Sequence, residues 1–299
     1  MDIKHLVTFL KVIETGSFTR AAELLGYTQS SVTAHIQTIE EHLNAPLFDR
    51  LGRKIHLTDA GKEALPHIKN VLEYYKRLES IGSDKTTIKG ELKITATESI
   101  TLYRLEPILS AFKEQHPDVK LTLSNATCSM NKSAVLDGDT DLAFVLLPIV
   151  EEADLISHTL TRENIVVVGN RRNSDDVLHP NQSLHESILL NENTCSYRSI
   201  FEQSLKEQNI TPLQSMELWS VEALKRCAIS GLGITCLPEM TVETELETGT
   251  LKRIPFHMEP TLYSQLIYRK DKWLSPAITA FIDIVLEQPF VQQTKISFD

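Results

Sequence analysis

The residues best suited by type and spacing to recognition chemistry are Gln29, Ser30, Thr33 and Gln37. They are short, uncharged polar side chains within a stretch whose apolar residues Val32, Ile36, Ile39 and Leu43 recur at intervals of four, three and four. That period predicts one buried stripe of a helix and leaves the polar residues, with Ala34, on the outer face. A glutamine amide pairs bidentately with an adenine edge, and a serine or threonine hydroxyl reaches a base or a phosphate. The chemistry on offer is therefore reading of a DNA major groove. Taken alone, the same face also fits a solvated helix of an ordinary helical domain.

The segment in front separates the two readings. Ser17 is placed to cap a helix, Ala21, Ala22, Leu24 and Leu25 give that helix an apolar face, and Gly26 ends it. A second helix starts near Thr28, and the small alanines let the pair approach closely, as a helix-turn-helix corner requires. Ser17, Thr28 and Ser31 lie at helix starts, where free N–H groups favour a phosphate oxygen, and join the candidate DNA contacts. Further on, Leu47, Phe48, Ile55 and Leu57 flank Gly52, which predicts a short hairpin. Arg50, Arg53 and Lys54 would make it a cationic wing for phosphate or minor-groove contact. A tip charged only for solubility fits these three residues equally well.

Charge is distributed to match. Residues 1–89 hold 12 Lys+Arg against 11 Asp+Glu, whereas the remainder holds 18 against 29. An acidic body is repelled by phosphate, so DNA contact belongs to the N-terminal part. The chain starts with scattered charges and carries no apolar run long enough to span a bilayer, so neither a signal peptide nor a membrane partner is expected. Cys128, Cys195, Cys227 and Cys236 form no CxxC pair, which fits a reducing compartment and a cytoplasmic location. The ten histidines show no HxH or HxxxH cluster, so no metal site is expected.

Residues 58–80 read as one longer helix containing Pro66, and 81–90 as a linker. Leu65, Ile68, Leu72 and Tyr75 follow heptad spacing, which suits dimerisation or packing against the chain's own domain. Beyond residue 90, strand-like runs at Leu92–Thr97, Lys120–Ser124, Leu142–Leu147, Ile165–Gly169, Ile188–Leu190, Gly233–Leu237 and Leu262–Tyr268 alternate with helical stretches at 103–115, 197–208, 221–230 and 276–287. This alternation predicts α/β units with a mostly parallel sheet. In such sheets, ligands bind where strands end and helices begin. Thr97, Ser99, Thr101, Thr127, Cys128 and Ser196 occupy predicted places of that kind, with Arg198 nearby, and would suit a carboxylate or other small anion. Arg198 can instead hold Glu202 one turn away. No P-loop, GxSxG elbow or dinucleotide GxGxxG appears, so no enzyme activity and no cofactor are expected.

The stretches SFTRAAELLG, TQSSVTAHI, LNAPLFDR and LTDAG, with GLGITCLPE at 231–239, closely resemble the LysR-type transcriptional regulators in order and spacing. The resemblance covers essentially the whole chain. It implies a winged helix-turn-helix over 1–58, a linker and dimerisation helix with a hinge over 59–89, and an effector domain over 90–299. That last part would be two α/β subdomains of periplasmic-binding-protein type, one about 90–161 and 267–299, the other about 162–266, with the effector between them. It further implies Gln29, Ser30, Thr33, Arg50, Arg53 and Thr58 as DNA contacts, a homodimer or homotetramer, and RNA polymerase as a further partner. The chain departs from many relatives in having no Lys or Arg over 27–43, with Ala34 and His35 where larger polar or cationic groups are common. Peroxide-sensing relatives pair a reactive cysteine with a second one nine residues on; the position matching Cys195 in that way holds Ser204.

Overall fold

The computed structural model describes residues 1–51, 54–80, 88–173 and 178–290, with the side chains of 50, 51, 54, 76, 77, 79 and 80 also outside the description. The chain divides into two compact units, Met1–Lys85 and Thr86–Asp299.

The first unit comprises α1 (Ile3–Thr15), α2 (Phe18–Leu25), α3 (Gln29–Leu43), the antiparallel strands β1 (Phe48–Leu51) and β2 (Lys54–Leu57), and α4 (Asp59–Ser80). Ser17 caps α2 by accepting from the Arg20 N–H, and Thr28 caps α3 by accepting from the Ser31 N–H. Gly26, at φ 69°, takes the left-handed turn between them. Leu6, Phe9 and Val12 of α1 close over Ala21, Ala22, Val32, Ile36 and Ile39, with Leu47 and Phe48 completing the core. Each such large side chain contributes roughly 1.5–3 kcal/mol by leaving water. Two residues expected in the apolar faces lie outside, with Leu24 53% and Leu43 45% exposed. Phe18, Ala21 and Ala22 fill the inward face of the short α2, so Leu24 falls off that stripe. Leu43 is the last residue of α3, just before Asn44 turns the chain away at φ 53°.

The LTDAG motif has a steric basis. Thr58 Oγ1 donates to the Pro46 carbonyl at 2.6 Å and accepts from the Gly61 N–H at 3.0 Å. A Cβ at Gly61 would land on the Leu47 carbonyl oxygen and within 2.8 Å of Leu57 Cδ2. Glu40 of α3 fixes the same loop, accepting from the Leu47 N–H at 2.8 Å.

The second unit starts with β3 (Gly90–Ala96), the short α5 (Glu98–Ile100) and a π-helical segment (Thr101–Leu105) that runs into α6 (Glu106–Gln115). It continues through β4 (Val119–Asn125), α7 (Cys128–Leu136), β5 (Leu142–Leu147) and β6 (Leu155–Glu163). After β7 (Ile165–Asn170) come β8 (Ser183–Leu184), β9 (Ile188–Leu190), α8 (Ser196–Glu207), β10 (Thr211–Pro212), β11 (Ser215–Glu217) and α9 (Val221–Ile229). β12 (Ile234–Pro238), α10 (Glu243–Glu247), β13 (Leu251–Ile254), β14 (Leu262–Arg269) and α11 (Pro276–Leu286) follow.

These elements build two five-stranded sheets, β4-β3-β5-β14-β6 and β11-β9-β12-β7-β13. Each is mixed, not mostly parallel: β14 runs antiparallel to β5 and β6, and β7 antiparallel to β12 and β13. Those are the strands that carry the chain from one sheet to the other and back. β6 runs to Glu163, close to the bound of about 161 expected from sequence, whereas β14 already begins at Leu262, ahead of the expected return at about 267. At the crossing, buried Glu163 receives Arg104 at 3.3 Å and the Ser264 hydroxyl at 2.7 Å.

Candidate DNA interface and effector cleft

On α3, burial follows the predicted stripe except at Leu43. Val32, Ile36 and Ile39 are fully buried, Gln29, Ser30, Ala34 and Gln37 are exposed, and Thr33 and Ser31 are half-buried. The exposed residues share one face by helical spacing. Thr28, Ser30 and Ser31 form a hydroxyl cluster at its N-terminus, Thr28 Oγ1 lying 2.9 Å from Ser30 Oγ and 2.8 Å from Ser31 Oγ. His35 does not join the outer face: its Nδ1 is 2.9 Å from Thr8 Oγ1, and its ring lies 4.8 Å from that of His5. Thr8 gives its one proton to the Lys4 carbonyl, so His35 Nδ1 must be the donor. Burial, then the nearby Lys4, hold the His35 imidazole below its usual range; for His5 the causes are burial, His35 and Lys4.

Of the wing residues, Arg53 and the side chains of Arg50 and Lys54 lie outside the described residues. Thr58, expected to touch DNA, has its hydroxyl engaged on both sides within the unit. Ser17 and Thr28 act as caps.

The heptad on α4 requires a correction. Ile68 is 6% exposed and sits in the core of this unit, with Leu65 and Leu72 packed against it. The exposed apolar side chains are Val71 at 45%, Tyr74 at 57%, Tyr75 at 39% and Leu78 at 66%. Heptad spacing identifies an apolar stripe but not its partner, and here the predicted stripe is largely consumed by the core of its own unit, against α1 and β2.

In the second unit, a cleft of about 260 Å³ opens between the two sheets' loops. It is lined by Thr97, Ser99, Thr127, Cys128 and Ser196 from the predicted set. Thr101 is one step removed, donating to Asn125 Oδ1 at 3.1 Å, and Asn125 lines the cleft. Arg198 is absent from the lining: it donates to Glu202 at 3.0 Å, to Glu217 at 2.7 Å and to the Asn191 carbonyl. An effector contact from Arg198 is thereby corrected to an internal brace, the i+4 alternative. Glu98, Glu192, Met130, Tyr197 and Trp219 complete much of the wall and were not anticipated. Glu98, Met130 and Tyr197 stand in the first turns of α5, α7 and α8, Glu192 and Trp219 in loops, and nothing in their local sequence distinguishes them. Among the described residues the lining holds no Lys, Arg or His, which counts against a bare anion as the ligand.

The cleft also joins the two halves. Ser196 Oγ donates to the Leu146 carbonyl at 2.6 Å, and Glu98 receives the Ser220 hydroxyl at 2.9 Å and the Val221 N–H at 2.8 Å. Below it, fully buried Asn131 holds the loop after β4: it accepts from Thr95 at 2.5 Å and donates to the Ala126 carbonyl at 3.1 Å. Cys128 and Cys195 of the cleft wall, and Cys236 outside the lining, are buried thiols. Burial pushes Cys195 up to about 12 and raises Cys128 and Cys236 as well. A second hollow of about 410 Å³ lies along the crossing strands, lined by residues such as Arg162, Ile165, Arg253 and Pro260. It lacks the converging helix starts of the smaller cleft. Among the described residues, no three metal-ligating side chains gather, and no helix is long and apolar enough to cross a membrane.

Residues 3–62 match the model of the bacterial regulatory helix-turn-helix protein, lysR family, and residues 85–289 that of the LysR substrate binding domain. The chain is 36% identical over 95% of its length to the uncharacterized HTH-type transcriptional regulator YwqM of Bacillus subtilis, covering 98% of that protein. It is 33% identical over 97% of its length to the uncharacterized HTH-type transcriptional regulator YfiE of Escherichia coli, covering 99% of it. A full-length OxyR variant from Pseudomonas aeruginosa has the same fold, with a TM-score of 0.74 at 20% identity over 98% of this chain and 97% of that one. The chain belongs to the LysR family: it is a DNA-binding transcriptional regulator whose C-terminal α/β domain binds a small-molecule effector.

Proposed function

We propose that Gln29, Ser30, Thr33 and Gln37 of α3 read base edges, and that Arg50, Arg53 and Lys54 hold phosphates. The observation that carries this reading is the division of α3 over residues 29–39 into a buried stripe, Val32, Ile36 and Ile39, and an uncharged polar face. The hydroxyl cluster of Thr28, Ser30 and Ser31 supports a phosphate contact at the helix start. With no cation on α3, affinity rests on the wing and on multiple half-sites.

The protein acts as a homodimer or homotetramer in the cytoplasm, with the exposed residues Val71, Tyr74, Tyr75 and Leu78 supplying the dimer face. The effector occupies the cleft lined by Thr97, Ser99, Thr127 and Ser196, and contact with RNA polymerase follows at the promoter. No enzymatic step is assigned. Fluorescence anisotropy on the promoter region of its own gene tests the reading. Binding at least a hundredfold tighter than to scrambled DNA is expected at moderate salt, and equal affinities would overturn it.

A further inference from the structure

The cleft is framed by two carboxylates whose situations differ. Glu98 is engaged, holding the first turn of α9 through Ser220 and Val221 at 2.9 and 2.8 Å. Glu192 is half-buried at the wall, and its carboxylate has no ion-pair or side-chain hydrogen-bond partner among the described residues. Arg198, a cation close enough to influence it, is committed to Glu202, Glu217 and the Asn191 carbonyl. A carboxylate partly removed from water without a direct ion-pair partner is costly, and a ligand that supplies one recovers that energy.

The rest of the wall indicates what accompanies the charge. Trp219 is 77% exposed and Met130 62%, unusual values for large apolar side chains facing a cavity. An aromatic face and a thioether suit an aliphatic body, and the indole also attracts a cation. At about 260 Å³ the space is at the small end for ligand pockets.

Resting on the reading that this cleft is the effector site, we propose that the effector is a small aliphatic amine. Its ammonium pairs with Glu192, and its carbon chain lies against Trp219 and Met130. The hydroxyls of Thr97, Thr127 and Ser196 accept its remaining N–H groups. Burial holds the Glu192 carboxyl above the usual range, against the opposing pull of its own backbone N–H and of Arg198, and a bound cation opposes that shift further.

The test is calorimetric titration of the full chain with 1,4-diaminobutane and ethanolamine, against 1,4-butanediol and succinate. Binding of the amines is expected, with the diol and succinate silent. Glu192→Gln weakens amine binding about tenfold or more, while Glu207→Gln on the outside of α8 leaves it unchanged. Should Glu192→Gln fail to fold, Trp219→Ala is expected to weaken the same binding. Succinate binding without amine binding overturns the amine and leaves the cleft as effector site. Binding of neither class, with promoter affinity unmoved by either, overturns both. Amine binding undiminished in Glu192→Gln removes Glu192 as the partner and overturns the proposal.

Discussion

At the residue scale, His35 shows how one side chain serves the fold where the family pattern places recognition. Its imidazole packs against α1, held by Thr8 and kept below the usual range by burial and Lys4. The folded state therefore binds fewer protons than the unfolded one, whose histidine titrates near 6.5. Stability is full above that value and declines as pH falls through it toward the lower folded value. Thermal melts between pH 7.5 and 5 should show the first unit weakening, and His35→Asn, which keeps a donor near Nδ1, should flatten that slope. Gly61 gives a second prediction. Gly61→Ala drives a methyl into the Leu47 carbonyl and should cost about 1–3 kcal/mol in chemical denaturation. The base-facing residues of α3 were legible because helical period alone separates them from Val32, Ile36 and Ile39. Arg198 was legible only as an alternative: its spacing to Glu202 was visible, but its contact with Glu217 depends on the fold. Glu192 and Trp219 carry no local pattern, since what makes them a wall is the meeting of two loops.

At the element scale, caps and periodicity defined most helices and strands of the chain. Ser17, Gly26 and Thr28 bound α2 and α3 where their chemistry requires. β6 was not visible in the sequence: Leu155–Glu163 alternates weakly and carries His158, Arg162 and Glu163. His158 and Glu163 are matched by β14 and the π-helical segment, through contacts such as His158 to Tyr268 at 3.2 Å, Glu163 to Ser264 at 2.7 Å and Glu163 to Arg104 at 3.3 Å. The α4 stripe was legible as apolar, but its partner was not. The two faces of α4 give opposite expectations. Ile68→Ala should destabilise the first unit by about 2–4 kcal/mol, since it empties a core position. Leu78→Glu should leave that stability intact and shift sedimentation equilibrium toward monomer. A Leu78→Glu protein of unchanged assembly would remove this face from the interface.

At the scale of the whole molecule, the acidic effector domain and the nearly neutral DNA-binding part divide the work. Three wing cations per protomer imply about six phosphate contacts for a dimer, hence a slope of about −5 in log affinity against log salt. A much steeper slope would mean that cations elsewhere on the protein reach DNA. Specificity, by contrast, must come from uncharged groups, because α3 brings no cation to the groove. The central claim is that this face reads bases, and the affinity of Gln29→Ala for two DNAs tests it most directly. Binding to the promoter segment of its own gene should weaken by about 1–3 kcal/mol while binding to scrambled DNA is unchanged. Equal losses on both would contradict the claim and reduce α3 to a backbone contact.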